Sequence, residues 1–151
     1  MQKRVDYRKA APEVLAAMRM LQEGLSASEL EPKLLELVKI RASQLNSCAF
    51  CLDMHARDAR KLGEDEQRIY QLDAWRDSLL YTQRERAALA WTEAVTRISA
   101  ESVDDELYSR VGEQFNAREL AFLTLAVVAI NGWNRLNIAF RTPPAGGRTA
   151  A

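Results

Sequence analysis

Cys48-Ala49-Phe50-Cys51 and His55 are the residues best placed to do chemistry. The chain's two cysteines and its single histidine all fall within eight residues. On a helix, positions 48, 51 and 55 are i, i+3 and i+7 and share one face. Thiols three residues apart can close a disulfide without moving the backbone, and an imidazole one turn on can hold a proton for one of them. That is the chemistry of a dithiol redox site. Cys48 stands at the helix start and Cys51 in its first turn. Free backbone N–H groups and the positive end of the helix dipole favour a thiolate there. His55 follows Cys51 by one turn, so Cys51 is the expected attacking thiol and Cys48 the resolving one. The reverse order stays open, because Cys48 is nearer the helix end.

Structural cysteines are common, and a lone histidine on an apolar face is usually a satisfied core residue. The meeting of all three on one face favours function. A metal site competes: Cys48, Cys51, His55 and Glu36 would make four ligands. Structural zinc usually takes two chelating Cys/His pairs, and the second pair is missing. Glu36 itself lies off the apolar stripe of its helix, Leu34, Leu35, Val38, Ala42 and Leu45. Periodicity alone reads it as a solvated carboxylate near Ser43. It gains a role only if the cysteine helix packs on the other face, where Ile40 lies.

The elements that must position these groups read as helices joined by short turns, with almost no strand signal. The first spans Pro12 to Glu23, with Pro12 in its first turn and Gly24 as its stop. Ser28, three before Glu31, is expected to cap a second that runs to about Leu45. Asn46-Ser47 breaks it. The third starts near Ser47 or Cys48 and stops at Gly63. Its inward side collects Cys48, Cys51, Leu52, His55, Ala59 and Leu62; Asp53, Arg57, Arg60 and Lys61 face water. A fourth covers Asp65 to about Trp75. Thr82-Gln83-Arg84-Glu85 opens a fifth, to about Ile98, in capping-box form. A sixth runs from Ser102–Asp105 to about Phe115. Asn116-Ala117-Arg118-Glu119 caps the last, which reaches toward Phe140 through Gly132. Leu120 to Ile130 is apolar nearly all round, so this helix is buried, centrally or against another subunit. Asn131, Asn134 and Asn137 recur every three residues beyond it. Interhelix or intersubunit hydrogen bonding is the favoured reading; a polar lining near the thiols is the other. Trp75, Trp91 and Tyr81 read as core.

The chain has 151 residues, enough for one domain with its own core. Lys+Arg and Asp+Glu both number 21, which leaves no electrostatic footprint for nucleic acid or anionic lipid. The N-terminus has no apolar stretch of a signal peptide, and the longest apolar run falls short of the roughly 20 residues a membrane span needs. A cytoplasmic protein is expected, where Cys-x-x-Cys is more often catalytic or metal-binding than structural. The domain should cover 1–141, with 142–151 a frayed tail. No phosphate loop, Ser-His-Asp set, or flavin or nicotinamide fingerprint is present, and no cofactor is expected.

Glu-x11-Cys-x2-Cys-x3-His, with Asn46-Ser47 before the first cysteine and Gly63 closing the helix, resembles the alkylhydroperoxidase D-like (AhpD-like) branch of the carboxymuconolactone decarboxylase family. The likeness is strongest over Leu35–Gly63 and extends to the long last helix. It implies an all-α fold of about six to seven helices, intertwined in a homo-oligomer, commonly a trimer or hexamer. It implies a peroxidase in which Cys51, Cys48, His55 and Glu36 are catalytic, with a proton relay from cysteine through His55 to Glu36. The partners it implies are a peroxide and a thiol or protein reductant. Some members carry a second histidine inside the Cys-x-x-Cys; here that position is Phe50, so an additional relay group is absent. The lactone-decarboxylating branch lacks the dithiol, which disfavours decarboxylation. A redox sensor or disulfide-exchange module without fast turnover, or a zinc-binding structural protein, are the alternatives.

Overall fold

The computed structural model describes residues 4–100 and 102–144. They form eight α-helices and no strand. Local chemistry explains most boundaries. Pro12 and Pro32 open α2 (Pro12–Glu23) and α3 (Pro32–Leu45) at positions where a missing N–H costs nothing. Cys48 caps α4 (Ala49–Lys61), Asp65 caps α5 (Glu66–Gln71), and Asp104 caps α7 (Asp105–Gly112). Full capping boxes begin α6 (Gln83–Thr96) at Thr82/Glu85 and α8 (Ala117–Ala139) at Asn116/Glu119. Gly63, at φ +78°, follows α4 in the left-handed conformation that ends helices at low cost.

Three expectations change. A one-turn helix α1 (Tyr7–Ala10) precedes the first expected helix. Ser28 does not cap α3: its hydroxyl accepts from the Leu30 N–H, within a turn that ends before Pro32. The fourth expected helix is shorter, because α5 tightens into a 3₁₀ turn at Leu72–Ala74. The frayed-tail expectation from residue 145 onward lies outside the described residues.

Helix α3 is the hub. It packs against α4, α6 and α8 at once, so it has more than one buried face. Leu34 and Val38 join Trp91, Phe115, Leu123 and Val127 in one apolar cluster. Leu37 and Ile40 join Ala59, Leu72, Trp75, Tyr81 and Leu89 in another. Trp75, Trp91 and Tyr81 are core, as expected. Being enclosed, α3 also buries Glu36, Arg41 and Ser43, and each has a polar partner. A third cluster joins Ala42 of α3, Cys48 and Cys51 at the start of α4, and Ile130 of α8. The long α8 is less enclosed than its composition implies: Val128 and Ile138 remain exposed.

Candidate active site

The turn between α3 and α4 sets the site. Ser47 adopts φ +57°, which reverses the chain within two residues. Asn46 holds this turn against α8, donating to the side-chain oxygens of Asn131 (3.0 Å) and Asn134 (2.9 Å). Asn134 donates in turn to Ser43 Oγ at 3.0 Å. These two asparagines therefore make the interhelix hydrogen bonds favoured from sequence. Cys48 then takes the N-cap, its sulfur accepting from the Cys51 N–H at 3.4 Å.

Cys48 and Cys51 are both buried and are joined as a disulfide, with Cα atoms 5.4 Å apart. Buried His55 faces α3, and its Nδ1 lies 2.8 Å from Glu36 Oε2. Glu36 is 7% exposed, so the solvated position that periodicity suggested is replaced by a buried one. The cause is the packing of α4 onto the Ile40 side of α3. On α4, Cys48, Cys51, His55 and Ala59 face inward as expected, whereas Leu62, past the helix end, is exposed.

Burial would push the Glu36 carboxyl up. The hydrogen bond with His55 and the charge of Lys39 outweigh it and hold the group below its ordinary value. Lys39 Nζ sits 2.6 Å from Glu36 Oε1. The sequence reading missed Lys39, although its place three residues after Glu36 on one helix was a usable signal. An ionised Glu36 is an acceptor only, so His55 carries its proton on Nδ1 and leaves Nε2 as the basic nitrogen.

Asn137 approaches the sulfur directly. Its side-chain N–H donates to Trp133 O at 2.9 Å and reaches Cys51 Sγ at 3.7 Å, and its oxygen accepts from Tyr7 O–H at 3.5 Å. Of the three asparagines, this one lines the thiol region. His55, Glu36 and Asn137 border a cavity of about 480 Å³, which α1 and α2 wall together with further residues of α3, α4 and α8. Glu36, His55 and Asp58 present ligand atoms within 4.8 Å of one another. The sulfurs, tied to each other, are not in that group, so the four-ligand set weighed from sequence is not the one brought together.

The family model described as "Carboxymuconolactone decarboxylase family" matches residues 12–94. The uncharacterised protein YdfG of Bacillus subtilis is 45% identical over 139 residues, covering 92% of this chain and 95% of YdfG. A solved structure from Agrobacterium tumefaciens, of unknown function and described as a candidate AhpD antioxidant-defence protein, superposes with a TM-score of 0.93 at 38% identity, over 97% of this chain and all of that one. The debrominase Bmp8, solved with 2,3,4-tribromopyrrole, shares the fold at a TM-score of 0.81 and 17% identity, over 91% of this chain and 74% of its own.

Proposed function

The chain belongs to the carboxymuconolactone decarboxylase family, in its AhpD-like branch, and on that premise we propose that it is a thiol-dependent peroxidase of the peroxiredoxin type. The observation that carries this reading is the Glu36–His55 pair, with His55 buried one turn after Cys51 on the helix that carries the Cys48–Cys51 couple. Dithiol, base and orienting carboxylate are the parts an activated sulfur nucleophile needs.

The cycle runs on this chain's own residues. In the reduced protein, His55 Nε2 takes the proton of Cys51, and Glu36 stabilises the resulting imidazolium. The thiolate attacks the outer oxygen of ROOH; the O–O bond breaks, Cys51 becomes a sulfenic acid, and RO⁻ leaves as ROH with the proton from His55. Cys48 attacks the sulfenic sulfur and releases water, giving the Cys48–Cys51 disulfide. A dithiol reductant, small or protein-borne, restores both thiols by exchange. Asn137 donates a hydrogen bond to the charged Cys51 sulfur. The cytoplasm, which keeps thiols reduced, is the setting this cycle requires. No helix of the described residues is long and apolar enough to cross a membrane. The active form is a homo-oligomer, trimer or hexamer. The likeness to Bmp8 is one of fold, and debromination is not carried over from it.

The test needs no knowledge of the reductant. Prereduced protein mixed with limiting cumene hydroperoxide should yield one alcohol, and lose two thiols, for each intrachain disulfide found by mass spectrometry. Cys51→Ser should yield no alcohol; Cys48→Ser should stop at a trapped sulfenic acid on Cys51. Thiol loss without alcohol, or disulfides only between chains, would sink the reading. Activity in Cys51→Ser with none in Cys48→Ser would reverse the two roles.

A further inference from the structure

The cavity over His55 has a wall that the thiol cycle does not use. Its volume suits a small organic molecule. Leu15, Phe50, Met54 and Trp133 give it an apolar floor. The charges around it divide in two. Glu36 is engaged by His55 and Lys39, and Asp58 by Lys61. Arg8 of α1 and Arg19 of α2 also line it, and neither has a carboxylate partner among the described residues. The Arg8 guanidinium instead lies 5.3 Å from the centre of the Phe50 ring, over the floor itself.

Hydrogen peroxide requires neither an apolar floor nor two unpaired arginines. Resting on the peroxidase reading above, we propose that the cavity takes an organic hydroperoxide that also carries a carboxylate. The apolar body lies on Phe50, Met54 and Trp133, the carboxylate meets Arg8 and Arg19, and the peroxide end points to the His55 and Asn137 side. Guanidinium groups suit this task, because they hold a carboxylate through paired N–H bonds and pack flat on apolar rings.

Cumene hydroperoxide and its para-carboxylate derivative differ only by that carboxylate group. The carboxylate form should react with prereduced protein about two- to tenfold faster at subsaturating concentration, the modest gain two exposed cations give. The advantage should shrink as salt is raised. In Arg8→Gln/Arg19→Gln the ratio should fall toward one, and Arg8→Lys/Arg19→Lys should restore part of it. The ratio is taken within one protein, so a partly unfolded variant lowers both rates together. The two corresponding alcohols, which thiols do not reduce, give a separate readout by calorimetry on the oxidised protein: the carboxylate alcohol should bind more tightly, and the double Gln variant should remove the difference. Equal rates and equal affinities in the wild type, or a ratio untouched in the double Gln variant, would overturn the proposal. Reduction of neither hydroperoxide would defeat the peroxidase reading instead, and the alcohol pair would still decide whether Arg8 and Arg19 bind a carboxylate.

Discussion

At the scale of single residues, the proposed cycle needs one buried sulfur to be reactive. A free thiol has a pKa of about 8.5, and an apolar site raises it. Cys51 is fully enclosed, so activation must come from its neighbours. Asn137 is the most specific of these, because its amide is held at both ends by Trp133 O and Tyr7 O–H. Asn137→Asp keeps the shape but turns a donor into a negative charge. A like charge at this range raises a pKa by about one to three. In a Cys48→Ser background, which leaves one thiol and a good N-cap, alkylation of Cys51 at pH 7 should slow about tenfold or more. Asn137→Leu should give a smaller loss, and both should recover at high pH. An unchanged rate–pH profile in both variants would make Asn137 purely structural. His55→Ala should also slow alkylation near neutral pH, with Glu36→Gln smaller in the same direction. A normal rate and full peroxidase activity in Glu36→Gln would remove Glu36 from the relay. The cysteines and histidine were legible in the sequence because one helical face holds them. Glu36 was not legible from periodicity, since a stripe pattern assumes one buried face and α3 has several.

At the scale of elements, α3 is locked in place by a second buried charge network. Glu93 of α6 accepts from Arg41 Nε at 2.7 Å and Trp75 Nε1 at 2.8 Å, and pairs with Arg76. Arg41 also pairs with Asp73, beyond α5. Removing one member of a buried pair strands the other. Glu93→Gln should therefore cost about 3 kcal/mol, a fall in Tm of roughly 6–12 °C for a chain of this size. Burial would push the Glu93 carboxyl up, but the bonds from Trp75, Arg76 and Arg41 hold it below its ordinary 4.5. A depressed carboxyl stabilises fully above its unfolded value and loses that contribution as pH falls through the folded one. Wild-type stability should thus decline below about pH 4.5, and the Glu93→Gln curve should be flatter there; equal slopes in denaturant titrations would refute this. The helix starts at Pro12 and at the capping boxes of Thr82 and Asn116 were read correctly from a few adjacent residues. Ser28 was misread because Pro32, four residues later, sets the real start. The role of α1 and α2 in walling the cavity had no local signal, because it arises from contacts across most of the chain.

At the scale of the whole molecule, the single chain leaves an apolar surface open. Val95 and Ile98 at the end of α6 and Val127 and Val128 of α8 line a recess of about 310 Å³. Ile98 is 67% exposed and Val128 49% exposed. Composition had marked α8 as a helix to be covered on all sides, and within one chain it is covered only in part. The residues facing α3 bury the site; the outer flank has no such partner among the described residues. Contiguous exposed apolar surface of this kind marks an association face, and in the homo-oligomer proposed above a second copy of the chain would cover it. Light scattering should return three or six times the 17.1 kDa chain mass. Ile98→Glu/Val128→Glu places two charges where each must lose water on association, so it should shift the mass downward. Both side chains are substantially exposed in the single chain, so the variant should keep its helical content and its two titratable thiols after reduction. A wild-type mass of one chain at micromolar concentration would leave the α8 flank as ordinary surface. An unshifted oligomer in the double variant would move the interface elsewhere.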